Sequence, residues 1–134
     1  MVVVDDFTRY TWVILLRSKS DAPEHIESLC TRLQNEKSLK IDRIRRDHGK
    51  EFENSYMESF CTRLGISQEF STPITPQQNG VVEKKNRVIQ EMARAMLYNK
   101  NMARNLWGEA VNTACHMVNN MYFRLGTKKT PYEL

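Results

Sequence analysis

Residues 40–49 read KIDRIRRDHG. Lys40–Arg45 interleaves apolar and charged side chains and reads as a β-strand. It runs into Arg46-Asp47-His48-Gly49, a turn that Gly49 ends. Helical patterns flank it on both sides. Upstream, Asp21 is placed to cap a helix, with Pro23 in the first turn and Glu24 completing a capping box. Ile26, Leu29, Cys30 and Leu33 then fall on one face. Downstream, Ser55 and Glu58 form a second box, Met57, Phe60, Cys61 and Leu64 repeat the face, and Gly65 stops the helix. Ile66–Phe70 is a short strand. A strand set between helices, followed by another strand, predicts an α/β fold with parallel pairing.

The remaining segments extend this pattern. The chain opens MVVVDDFTRYTWV, two β-branched and aromatic runs joined by Asp5-Asp6-Phe7-Thr8-Arg9, and a hairpin is expected. Asp5 and Asp6 have two readings, a metal site or the punctuation of a tight connection, and the second is favoured because short polar side chains bond the local backbone. STPITPQQN (residues 71–79) is a loop, held out of regular structure by two prolines. A long helix is expected from Gly80 to about Tyr98, with Val82, Ile89, Ala93 and Met96 as its apolar stripe and Glu83, Arg87, Gln90 and Arg94 on another face. A last helix spans about Leu106–Asn120, with Trp107, Ala110, Val111, Ala114 and Val118 inward.

Composition narrows the class. With 134 residues, 40% apolar and 27% charged, the chain can bury one core and wholesale disorder is not expected. The net charge of +4 and a pI of about 9.1 suit nucleic acid or another anionic surface. Cys30, Cys61 and Cys115 lie far apart without a CxxC pair. They read as reduced core thiols of an intracellular protein, not as a zinc site. No apolar run reaches the length of a membrane span, and no secretory signal is expected.

The chemistry rests on two acids. Asp47 follows the predicted strand and Glu83 lies in the first turn of the long helix, with 35 residues between them. Carboxylates at element ends suit hard divalent cations, and two such ions clamp the attacking and leaving oxygens of a phosphoryl transfer. The bland readings are a turn residue for Asp47 and helix-dipole complementation for Glu83.

The local words favour the first reading. IRRDHGKEF, followed by TPITPQQNGVVEKKN at this spacing, resembles the catalytic core of a retroviral-type integrase, and more narrowly the copia-type retrotransposon branch. VVVDDFTRYTWV, LWGEAVNTACHMVNN and TPYEL are similar to that branch as well. The resemblance implies an RNase H-like mixed sheet flanked by helices. It implies an Asp-Asp-Glu triad holding magnesium (or manganese) ions for DNA 3′-end processing and strand transfer, with Asp47 and Glu83 as the second and third acids. Pro76, Gln77, Gln78 and Gly80 would belong to a flexible loop over the site. Asn79, Lys84, Arg87 and Gln90 would meet the DNA. A homo-oligomeric, nuclear protein is implied, with neither a membrane nor a small molecule as partner.

Two departures follow from the same alignment of words. His48 stands where the family usually has Asn. The family's first acid lies on a strand upstream of the hairpin, so the first, central strand and its Asp are expected to be missing. Residues 1–100 would be an N-terminally truncated core, residues 101–134 a helix and the start of a further extension, and the chain inactive alone. The hairpin would then pair with Lys40–Arg45 directly, or the sheet would be poorly stable. The alternative is a non-catalytic remnant that binds nucleic acid or dimerises through its last helix.

Overall fold

The computed structural model describes residues 1–47, 55–71 and 80–134. In chain order the elements are β1 (Val2–Val4), β2 (Thr11–Val13), α1 (Ala22–Lys37), β3 (Arg43–Arg46), α2 (Ser55–Leu64), β4 (Ser67–Phe70), α3 (Gly80–Asn99) and α4 (Trp107–Met121), with short 3-10 turns between some of them. They form a mixed α/β fold in two compact units. One comprises residues Met1–Leu15 and Gly80–Leu134, the other Leu16–Asn79. Among the described residues no helix is long and apolar enough to cross a membrane.

In the unit of residues 16–79, β3 and β4 run parallel, with Arg43 opposite Ser67 and Arg46 opposite Phe70. The ladder continues beyond both ends: the Ser67 N–H donates to the Asp42 carbonyl and the Ser71 N–H to that of Arg46, each at 2.9 Å. The expected pairing of Lys40–Arg45 with the hairpin is not made; β3 takes β4 as its partner, and each sheet has two strands among the described residues. The strand also starts later than expected, at Arg43. The Ile41 N–H is drawn instead to the Gln34 side chain at the end of α1, at 3.0 Å.

The start of α1 departs from expectation by one turn. Asp21 does not cap it, since its own backbone is already helical (φ −80°, ψ −10°). The capping box is Ser18 with Asp21, around a 3-10 turn that feeds into the helix; Ser18 is extended and so has the backbone a cap requires. Ile26, Leu29 and Cys30 are buried as the periodicity predicts, as are Met57, Phe60 and Cys61 of α2. Gly65 (φ +69°) ends α2 in a Schellman motif. Its N–H bonds Thr62, the Ile66 N–H bonds Cys61 at 2.8 Å, and the Ile66 side chain is buried. Gly65→Ala has space for a methyl group but places a Cβ in the left-handed region. A loss of about 1 kcal/mol in urea unfolding is expected.

Burial, followed by the neighbouring Cys61 and Glu27, pushes the Cys30 thiol up to about 11. Its folded pKa lies above the ordinary thiol value of 9.0, so its contribution to stability is full below about pH 9 and lost as pH rises towards 11. The melting temperature is therefore expected to fall across that window, and more shallowly in Cys30→Ala. Equal slopes in the two proteins would refute the assignment.

In the other unit, β1 and β2 form the expected hairpin, Val2 opposite Val13 and Val4 opposite Thr11. Its core is the α3–α4 seam: Ile89 and Ala93 against Ala110, Val111, Ala114, Cys115 and Val118, with Val13, Met92 and Trp107 around it. Ala93 and Ala114 are fully buried, and their small side chains allow the two helices to approach closely. Asn101 (φ +48°) closes α3 as Gly65 closes α2, with Asn101 bonded to Tyr98 and Met102 to Leu97.

A buried side-chain amide joins α4 to the hairpin. In an antiparallel pair, alternate residues point both backbone groups away from the partner strand. Thr11 is such a residue. Its N–H donates to Asn119 Oδ1 at 2.9 Å, and its carbonyl accepts from Asn119 Nδ2 at 2.8 Å and from the Cys115 thiol at 3.2 Å. Thr11 and Asn119 are 1% and 3% exposed. The Asn119 amide thus occupies the place of one residue of an adjoining strand.

Candidate active site and nucleic-acid face

Asp47 follows β3 directly and is exposed. Side chains alternate along the strand, so Ile44 and Arg46 turn inward while Arg43, Arg45 and Asp47 turn outward. Arg46 is 8% exposed; its Nε and Nη2 donate to Gln68 Oε1 at 3.2 and 3.0 Å, and its guanidinium lies 4.4 Å from the Phe70 ring centre. The Ser71 N–H and hydroxyl both bond the Arg46 carbonyl. The residue before Asp47 is thereby held through its backbone and its side chain. Asp47 stands at the carboxyl end of a parallel pair, the edge at which open α/β sheets bind ligands.

On the outward side Arg43 and Arg45 share Glu69, at 3.1 and 3.4 Å. The hydrogen bond from Arg43, with Arg45 beside it, holds the Glu69 carboxyl below its ordinary range. These exposed pairs add little stability, but they keep two guanidinium groups on the strand that leads to Asp47.

Glu83 is exposed in the first turn of α3, where the helix dipole favours a carboxylate. Gly80 is the first residue of that helix. Lys84 and Arg87 are exposed on the same helix. Gln90 is engaged differently. Arg94 Nη2 donates to Gln90 Oε1 at 3.1 Å, and Gln90 Nε2 donates to Asn86 Oδ1 at 3.0 Å. Arg94 also lies 5.9 Å from the Trp107 ring centre. Gln90 is thus the middle of a side-chain ladder along the helix. Asp47 and Glu83 belong to different compact units. His48, Pro76, Gln77, Gln78 and Asn79 lie outside the described residues.

Asp5 and Asp6 are built into the hairpin turn. Asp5 Oδ2 accepts from the Thr8 N–H at 2.9 Å and the Thr8 hydroxyl at 2.6 Å. The Asp6 carboxylate is ion-paired with Arg9, whose Nη1 also bonds the Asp6 carbonyl at 2.6 Å. Arg9 itself takes a left-handed backbone (φ +64°) to close the loop. The turn reading of this acidic pair holds.

The model of the integrase core domain matches residues 1–76. Among curated proteins, the polyprotein of transposon TNT 1-94 from Nicotiana tabacum is 37% identical over 116 residues, covering 87% of this chain and 9% of its own length. That of transposon RE2 from Arabidopsis thaliana is 29% identical over 133 residues, covering 99% and 9%. The chain thus spans about 9% of the length of these relatives. Among solved structures, a chain of the simian T-cell lymphotropic virus intasome in complex with a PP2A regulatory subunit superposes with a TM-score of 0.78 at 20% identity, over 99% of this chain and 46% of that one. The HTLV-2 integrase catalytic core domain, solved with magnesium in a trimeric form, gives 0.71 at 23% identity, over 98% and 80%. The fold is therefore the RNase H-like fold of integrase catalytic cores, and the chain belongs to the integrase core domain family.

Proposed function

We propose that these 134 residues act as part of the catalytic core of a copia-type retrotransposon integrase, working on DNA in the nucleus by metal-dependent phosphoryl transfer. The observation that carries this reading is the pair Asp47 and Glu83: exposed carboxylates, 35 residues apart, at the carboxyl end of a parallel strand and in the first turn of a helix. Asp47 and Glu83 are the second and third acids of the site. Residues 101–134 extend the core, and the assembled integrase is a homo-oligomer.

The donor chemistry fits magnesium in kind, since both groups offer hard carboxylate oxygens. It is short in number: among the described residues no group of three His, Cys, Asp or Glu side chains could hold an ion. When bound, magnesium supplies charge stabilisation for the in-line displacement at phosphorus. The chain's own residues would do the rest. Asp47 and Glu83 would hold the ion, Arg46 anchors the strand end that presents Asp47, and Lys84 and Arg87 would neutralise the DNA backbone beside Glu83.

The test is an oligonucleotide joining assay with the complete integrase that carries these residues. Joining of a 3′-hydroxyl end to a second duplex is expected with magnesium or manganese and is lost with a chelator. Joining that persists without divalent cation would sink the reading. The isolated 134-residue chain, with two acids, is expected to stay at background.

A further inference from the structure

Arg46 is the last residue of β3, and its side chain is buried. A strand end is held least and frays first. Here it is gripped by β4 and by the residue after β4. In the parallel register Arg46 stands opposite Phe70, and Ile44 opposite Gln68. Gln68 and Phe70 are two residues apart on one strand, so they share a face. The guanidinium lies 4.4 Å from the Phe70 ring centre and reaches back along β4, where its Nε and Nη2 converge on Gln68 Oε1 at 3.2 and 3.0 Å. On the backbone side the Arg46 carbonyl accepts from the Ser71 N–H at 2.9 Å and from the Ser71 hydroxyl at 3.3 Å. That carbonyl belongs to the peptide unit that joins Arg46 to Asp47. Side chain and peptide are thus tied to one stretch, residues 68–71.

Pairing two strands does not require such a grip. Desolvating a guanidinium is costly, and replacing a buried charged group by an apolar side chain of similar volume is often neutral or stabilising. Ile44 fills the preceding inward position of β3 with an apolar side chain. What the planar guanidinium adds is direction: a forked donor set against one oxygen and one ring has few alternative poses. One residue further on, the fixed peptide decides where the Asp47 carboxylate points. Magnesium demands near-ideal octahedral geometry, so the placing of a ligand is felt directly in affinity. We propose that Gln68, Phe70 and Ser71 act through Arg46 as positioning residues for Asp47, and that they set the affinity of the site for its divalent cation more than the stability of the fold. This rests on the reading of Asp47 as a metal ligand.

The experiment follows the complete integrase that carries these residues by calorimetric titration with magnesium, by joining at graded magnesium and by urea unfolding. Gln68→Met removes the acceptor and keeps the length of the side chain. Its magnesium affinity is expected to fall about tenfold, with joining at saturating magnesium kept within about threefold and the unfolding midpoint unchanged. Gln68→Glu keeps an acceptor for the guanidinium and restores the affinity. Ser71→Ala, which keeps the backbone bond, falls between the two. Asp47→Asn is not rescued by added magnesium. If Gln68→Met binds magnesium as the unaltered protein does while Asp47→Asn does not, the positioning role is overturned and Asp47 stays in the site. If Asp47→Asn binds magnesium normally, the ligand reading falls, and the positioning role with it. An affinity that drops only in step with the unfolding midpoint, in Gln68→Met and Ser71→Ala alike, assigns these contacts to folding and also overturns the proposal.

Discussion

Asp47→Asn and Glu83→Gln are each expected to lower magnesium-dependent DNA joining by the complete integrase by at least about a thousandfold. Each change keeps the shape of the side chain and replaces an anionic oxygen with a neutral amide, so the loss falls on charge and not on packing. Glu83→Asp makes the complementary test: it keeps the charge but withdraws it by one methylene, and a displacement of this size costs on the order of a hundredfold where geometry governs the rate. Circular dichroism and duplex affinity are measured alongside. Joining at the unaltered rate in Asp47→Asn would remove that residue from the site, and the same holds for Glu83→Gln. Joining lost together with secondary structure would show a folding role instead.

The largest expected effect on stability lies away from these acids, at Asn119. Asn119→Ala strips the Thr11 N–H of its acceptor and leaves the Thr11 carbonyl with the weak Cys115 donor alone, in a site closed to water. Burying an unsatisfied backbone group costs about 1–3 kcal/mol, so a loss of about 2–4 kcal/mol in urea unfolding is expected. Asn119→Asp keeps the acceptor but sets a carboxylate beside the Thr11 carbonyl. It is expected to be destabilised at neutral pH and partly rescued in acid, where the protonated carboxyl can again donate. A shift below about 0.5 kcal/mol for the alanine variant would mean that water enters and replaces the amide.

Local order was legible in the sequence to the extent that it depends on local physics. The four helices follow from their 3.6-residue stripes, and Gly65 ends α2 where a left-handed residue is needed. Capping was less legible because two candidate boxes overlap: Ser18–Asp21 and Asp21–Glu24 both fit the spacing, and the backbone of Asp21 decides between them. Strand partnership was illegible where it joins distant segments. Nothing local in Arg43–Arg46 says that it prefers Ser67–Phe70 to the hairpin. At the candidate site, the words around Asp47 and Glu83 marked them in the sequence, while the side-chain ladder that joins Gln90 to Arg94 and Asn86 depends on rotamers that no local word encodes. Asn119 did leave a trace. It sits one turn after Cys115 on the buried side of α4, and a polar residue on an apolar stripe asks for a polar partner.

The hairpin and the helices it packs against belong to one unit, yet 64 residues of the other unit separate them in the chain. On a ribosome adding about 5–20 residues per second, Val2–Val4 and Thr11–Val13 precede the rest of their unit and wait about 3–13 s while that stretch is made, and longer until α3 and α4 follow. During this interval Thr11 has no Asn119, and two β-rich strands stand with open edges. β3 and β4 face no such delay, because the two strands are near in sequence. The hairpin is thus made before the unit that interrupts its own, yet secured only after it, and it is most open to mispairing in between.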